Sequence, residues 1–161
     1  MDGRWEGLEI RIRQAAPSDL DGLAMMRHLL WPESTSEEHR RELETIVSSG
    51  RYGTLPMAIL VSQDADGSLT GFLEAGLRSH ADGCDVAHPV GFIEGWFVDE
   101  KFREQGVGRA LVQAAEDWAR RQGCTEIASD TWIDDERSQS AHKAVGFEVV
   151  DRCVHFRKPL I

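Results

Sequence analysis

A chain of 161 residues, 41% hydrophobic and 29% charged, has the make-up of one soluble globular domain and is too short for two ordinary ones. Its formal net charge of -10 argues against a nucleic-acid partner, which demands a basic face, and favours a cationic one. No apolar stretch reaches the length of a membrane span, so no membrane partner is expected; the three cysteines lack any paired short spacing and read as reduced thiols of a cytoplasmic protein.

Residues 1–8 read as a loose leader without the apolar core of a secretory signal, and residues 9–161 as one domain. Residues 9–14 alternate around Ile10 and Ile12, as a half-buried strand does. Ser18 and Asp19 then offer a cap to a helix carrying Leu20, Leu23, Ala24, Met26, Arg27 and Leu30, which should end at Trp31-Pro32. A second helix, capped within residues 34–36 and running to about Ser48, turns Leu43, Ile46 and Val47 inward before a stop at residues 50–53. Residues 56–62 form a continuous apolar run, a buried strand. Turn chemistry at 63–68 returns the chain as a strand over 69–79. The polar, glycine-punctuated stretch 80–89 is irregular, and 90–98 is the fourth strand. A helix with Val107, Ala110, Leu111, Ala114, Ala115, Trp118 and Ala119 on one stripe ends at Gly123. A fifth strand over 125–131 should lie parallel to the fourth; a short helix over 134–145, with Ala141, Ala144 and Val145 inward, and a last strand over 147–157 close the domain. The order describes a mixed α/β sheet with helices on both faces.

The chain is organised around residues 92–118, where an apolar strand, a glycine loop and a helix start follow one another directly. Such a junction aims several unpaired N–H groups at one point, at the positive end of the helix dipole, and suits a phosphate or pyrophosphate. The dinucleotide fingerprint is broken, because Leu111 stands where a third glycine is needed, and no Gly-Lys-Ser/Thr is present. What remains is Arg-x-x-Gly-x-Gly over Arg103, Gly106 and Gly108, which resembles the coenzyme-A pyrophosphate loop of the GNAT superfamily of N-acetyltransferases.

The resemblance is narrower than the superfamily. Gly83-Cys84-Asp85, the run from Pro89 to Val98, the run from Phe102 to Gly108, Ala128-Ser129-Asp130-Thr131, His142 and Gly146-Phe147, with Leu30-Trp31-Pro32, are similar to the aminoglycoside 6'-N-acetyltransferases. That likeness implies a GNAT-like, mostly antiparallel sheet splayed between the fourth and fifth strands, with acetyl-coenzyme A (acetyl-CoA) in the splay. It implies cofactor contacts from Trp96, Phe97 and Val98, from Arg103, Glu104, Gln105, Gly106, Val107 and Gly108 with Arg109, and from His142. A backbone N–H near Val98 would face the thioester oxygen. It also implies a cationic amine, an aminoglycoside, as substrate, contacted by Trp31, Asp85, Glu94 and Asp130, and a homodimer.

Two of these positions stand out without the resemblance. Glu94 interrupts an apolar strand, where a carboxylate is costly unless solvated or paired. Asp130 falls at the C-terminal end of the fifth strand, where open α/β sheets place ligands. Either carboxylate could hold a cationic amine and take its proton, and His142, where many relatives carry a tyrosine, could protonate the departing sulfur or contact the cofactor. Glu94, Asp130 and His142 are therefore the candidate catalytic residues. His80, Cys84 and His88 fit no zinc template, and no metal is expected. Asp134, Asp135 and Glu136 form an acidic helix start. The expected activity is acetyl transfer from acetyl-CoA to the 6'-amine of aminoglycosides by direct attack in a ternary complex. The alternatives are a GNAT enzyme for a polyamine, a metabolite or a protein amine, and a non-catalytic acyl-CoA-binding module.

Overall fold

Successive residues of the strand β3 (Leu55–Gln63) are buried on opposite sides: Met57, Ile59 and Val61 in one apolar cluster, Ala58 and Leu60 in another. A strand covered on both faces needs layers above and below it. In the computed structural model, which describes residues 9–161, these layers are helices. The leader expected over residues 1–8 lies outside the described residues.

Among the described residues the sheet has six strands: β1 (Arg11–Gln14), β2 (Arg51–Tyr52), β3, β4 (Leu69–Arg78), β5 (Val90–Val98) and β6 (Ile127–Ser129). They are ordered β1-β3-β4-β5-β6, with β2 paired to β3. All pairings are antiparallel except β5 with β6, which is parallel. On one face α1 (Leu20–Leu30) and α2 (Ser36–Ser49) bury Leu23, Leu43 and Ile46 against β3 and Phe72 of β4. On the other, α3 (Val107–Arg121) sets Leu111, Val112, Ala115 and Trp118 against Leu73, Ala75 and Ile93. A short α4 (Glu136–Ala144) follows β6.

The helix ends follow local chemistry. Thr35 and Glu38 form a reciprocal capping box at the start of α2, and Gly50, at φ 66°, ends it in the left-handed conformation. Asp19 does not cap α1 with its side chain; instead both its oxygens take the Arg13 guanidinium, at 2.7 and 2.9 Å, and Oδ2 also accepts from the Ala16 N–H. Arg13 lowers the Asp19 carboxyl below its ordinary 3.8 against the opposing effect of burial, and the Ala16 N–H adds to the lowering. A depressed folded-state value contributes stability above the unfolded value and loses it as pH falls through the folded one. Asp19→Asn should therefore lower the melting temperature by a constant amount between pH 7 and 5, and the gap to the parent should close below about pH 4. Thermal melts across that range check it.

Three expectations need correction. The short strand β2 occupies residues expected only to stop a helix, because Gly50 redirects the chain alongside Leu55 and Pro56. In α4 no residue is buried; Val145, just beyond it, packs on the core while Ala141 and Ala144 face solvent. The strand expected over 147–157 is absent. Residues 147–161 carry no regular structure, and Val154 and Phe156 are 75% and 94% exposed. A strand exists only through a ladder partner, and among the described residues these find none: Val150 lies against Gly83, where no Cβ could be accommodated.

Candidate active site

The pairing of β4 with β5 slips by one residue between Glu74 and Ala75, so that Glu74 faces Gly95 while Ala75 faces Ile93. Glu94 is the residue left over. Such a β-bulge re-aims a side chain, and here Glu94 and Gly95 both address the α1–α2 face. The Glu94 side chain crosses Gly76, whose missing Cβ would stand 3.7 Å from Oε1. It ends in a two-pronged pair with Arg78: Nε donates to Oε1 at 2.9 Å and Nη2 to Oε2 at 2.8 Å. Arg78 in turn lies over the Phe92 ring, 3.4 Å from its centroid.

On its other edge β5 pairs with β6 only through Gly91, Phe92 and Ile93. From Glu94 onward the two strands diverge, which is the expected splay. Ser129 is opposite Ile93, so Asp130 and Glu94 are the next residues on the two diverging strands. Arg78 is held more firmly charged by Glu94 first and by Asp130 as well, although burial opposes both. Glu94, Asp130 and Arg78 thus form one charged cluster at the mouth of the splay.

Trp31 closes α1 and lays its indole on Gly95, where any Cβ would collide with the ring. Beside it opens a concavity of about 500 Å³ lined by Arg27, Trp31, Ser34, Glu38, His39 and Glu42. Its wall is set by Arg27, buried under the indole, which donates to both oxygens of the buried Glu74 at 2.6 and 3.1 Å and also pairs with Glu42. Asp85 stands apart from this group. Its carboxylate accepts from the Ala87 N–H and faces His88, and its own N–H donates to Glu126.

The loop before α3 fits an anion. Gly106 caps the helix at φ 88° with no side-chain cap, the first turn holds no acid, and Glu104 also takes a left-handed φ of 61°. Alternating left-handed residues turn successive N–H groups inward, and among the described residues those of Gly106, Val107, Gly108 and Arg109 donate to no other group of the chain. The side chains have other tasks. Arg103 donates to the Val98 carbonyl, Gln105 to that of Lys101 and Arg109 to that of Ala144, while Val107 is buried. Gly108 needs a qualification: its absent Cβ is required by the Trp96 indole, 3.0 Å away, so it serves helix–strand packing rather than ligand approach. Trp96 and Val98 pack on the α3 side of β5 and Phe97 on the opposite side, stacked on Phe72.

His142 is half-buried on α4, edge-on to Trp96 and Phe147 at 5.3 and 5.5 Å. Its Nδ1 faces the Ser138 carbonyl at 2.7 Å, an acceptor that fixes the proton there, so Nε2 receives the Ser129 hydroxyl at 2.8 Å. Ser129, Arg78 and the Arg27–Glu74 pair were not reached by sequence reasoning. Glu74, a carboxylate in an apolar strand, carried the same signal as Glu94. Arg78 and Ser129 carried none, because their importance arises from register. Among the described residues no group of three or more His, Cys, Asp or Glu side chains is placed to hold a metal ion, and no helix is long and apolar enough to cross a membrane.

The parallel pair of β5 and β6 thus ends beside an uncapped helix start, whose free N–H groups suit a phosphate or pyrophosphate. Residues 23–147 match the Acetyltransferase (GNAT) family, and the chain belongs to it. It is an acetyl-CoA-dependent N-acetyltransferase. In sequence it is similar to "Aminoglycoside N(6')-acetyltransferase type 1" of Klebsiella aerogenes, 44% identical over 149 residues that cover 92% of this chain and 96% of that protein. A protein of the same name from Stenotrophomonas maltophilia is 40% identical over 92% of this chain and 93% of its own. Among solved structures, AAC(6')-Iy in complex with the bisubstrate analogue CoA-S-monomethyl-acetylneamine superposes with a TM-score of 0.83 at 35% identity, covering 94% of this chain and 99% of that one. AAC(6')-Ih from Acinetobacter baumannii superposes with a TM-score of 0.84 at 30% identity, with the same coverage of 94% and 99%.

Proposed function

We propose that the chain acetylates the 6'-amine of aminoglycoside antibiotics by direct attack on acetyl-CoA in a ternary complex. The observation that carries the reading is the convergence of Glu94, Asp130 and Trp31 at the splay, an acidic mouth with an indole wall. Its net negative charge suits a polycationic sugar, as does the formal charge of -10 on the whole chain. The names of the sequence relatives, and the bisubstrate analogue held by a structural neighbour, support the same substrate.

Acetyl-CoA supplies an activated acetyl thioester. In this reading the N–H groups from Gly106 to Arg109 hold its pyrophosphate, and the backbone of Trp96, Phe97 and Val98 holds its pantetheine arm. Glu94 and Asp130 orient the substrate ammonium and receive its proton on the way to solvent. Nε2, where Ser129 stands, is the nitrogen of His142 that can gain and lose a proton, so a His142 protonated there is assigned to pass that proton through the Ser129 hydroxyl to the departing sulfur and to regain one from solvent. Asp85, engaged within its own loop, is assigned to the rim.

Turnover of kanamycin-type 6'-amines, with none of 6'-hydroxyl analogues, is the expected result of an assay at saturating acetyl-CoA. Acetylation of peptides or polyamines alone would overturn the substrate assignment, and cofactor binding with no transfer to any amine would overturn turnover itself. Gly106→Val should weaken acetyl-CoA binding about tenfold, since a β-branched residue at φ 88° costs about 1–2 kcal/mol and its methyls crowd the N–H cradle. Calorimetric titration of the folded variant checks it; an unchanged affinity would count against the loop.

The reading also includes a homodimer in the cytoplasm. Free Cys84, Cys124 and Cys153 suit a reducing compartment. The exposed apolar residues Val149, Val154 and Phe156 offer a second copy an extended segment to pair with. Light scattering should give twice the monomer mass, and truncation after Gly146 should halve it. A monomeric full-length chain at micromolar concentration would refute the dimer.

A further inference from the structure

The amine subsite already contains a cation. Arg78 spends two donors on both oxygens of Glu94, lies flat on Phe92 and feels Asp130. Counting formal charges, the cluster carries two carboxylates and one guanidinium. That balance bears on the chemistry, because an ammonium has no lone pair with which to attack. Two uncompensated carboxylates would bind the ammonium well and also hold its proton, since opposite charges favour the charged form. A fixed guanidinium at the same place acts the other way.

We propose that Arg78 is a positioning residue for the transfer: it fixes Glu94 in the bulge and offsets its charge, so that the bound amine gives up its proton near neutral pH. This rests on Glu94 and Asp130 being the amine site. In the reaction the substrate nitrogen loses two protons and gains the acetyl carbon. The C–S bond breaks with its electron pair on sulfur, sulfur takes up one proton and one passes to solvent.

The other charged groups around the cluster do not replace Arg78. On β4, Glu74 is buried and bound to Arg27 of α1, which is also paired with Glu42 of α2. His142 packs on the α3 side of the sheet, against Trp96. Among the described residues Arg78 is therefore the cation hydrogen-bonded to Glu94, while Glu74, which burial first and Glu94 as well push toward its neutral form, is held by Arg27. At the end of β4, with its side chain 42% exposed, Arg78 can be replaced without opening the core.

The test is the pH dependence of kcat and KM between pH 6 and 10, at saturating acetyl-CoA, for Arg78→Met, Arg78→Gln and Arg78→Lys. The acidic limb of the Met and Gln profiles should move up by about one unit, with kcat about tenfold lower at pH 7 and restored by pH 9. KM for the amine should stay level or fall at pH 7, and Arg78→Lys should keep the parent limb. A limb that stays in place or moves down in both neutral variants, with kcat lowered equally at every pH, would overturn the proposal. Glu94→Gln separates the two levels of inference. If that variant is as active as the parent, the amine site itself is wrong; if it is impaired while the Arg78 limb does not move, only the role of Arg78 falls.

Discussion

Replacing Glu94 with Gln is expected to lower kcat/KM for 6'-amine aminoglycosides about a hundredfold, and Asp130→Asn about tenfold. The difference follows from the cluster. Asp130 is an exposed carboxylate at the end of β6, and its loss removes one attraction for the amine. Glu94 is the bulge residue whose two oxygens hold Arg78. Its neutralisation removes the attraction and also releases a guanidinium that repels the incoming ammonium. The second effect can be isolated, because the Arg78→Met/Glu94→Gln double variant should recover part of the KM lost in Glu94→Gln alone. Steady-state kinetics on the four proteins form a double-mutant cycle. Unchanged kcat/KM in both single carboxylate variants would remove Glu94 and Asp130 from the amine site.

What could be read ahead of the structure was whatever local pattern decides. The β3 run, the α3 stripe and the glycine loop are local signals, and each forms where its pattern falls. Glu94 stood out because a carboxylate in an apolar strand demands a reason. The reason itself was out of reach: the one-residue slip opposite Glu74 places Glu94 over Gly76 and beside Arg78, and a slip is a property of two strands together. Gly108 was legible as a glycine but not as the seat of Trp96, for the same cause. The last strand failed differently. Val149, Cys153 and Phe156 alternate loosely enough to suggest a strand, yet a pattern states only that a segment could pair. Among the described residues those side chains remain exposed. His142 was visible as an ionisable residue on a helix, whereas its engagement at both nitrogens depends on β6 bringing Ser129 beneath α4.

Glu74→Ala is expected to destabilise the fold by about 3–5 kcal/mol, because it strands the Arg27 guanidinium, itself 5% exposed, without its main partner. Burial pushes the Glu74 carboxyl up and Arg27 opposes it; for Arg27, the carboxylates of Glu74 and Glu42 outweigh burial and keep the guanidinium charged. Glu42 cannot take over, since its side chain is 40% exposed and it meets Arg27 from the rim. At about 2–4 °C per kcal/mol for a chain of this size, the melting temperature should fall by about 10 °C. The pair itself is not a net source of stability, as desolvating two charges offsets most of their attraction. The Arg27→Met/Glu74→Met double variant should therefore melt within a few degrees of the parent. Its activity should fall all the same: Arg27 supports the Trp31 indole, which rests on Gly95 beside Glu94. A double variant as unstable as Glu74→Ala would show that the pair stabilises the fold outright, and one of full activity would show that Trp31 keeps its place without Arg27.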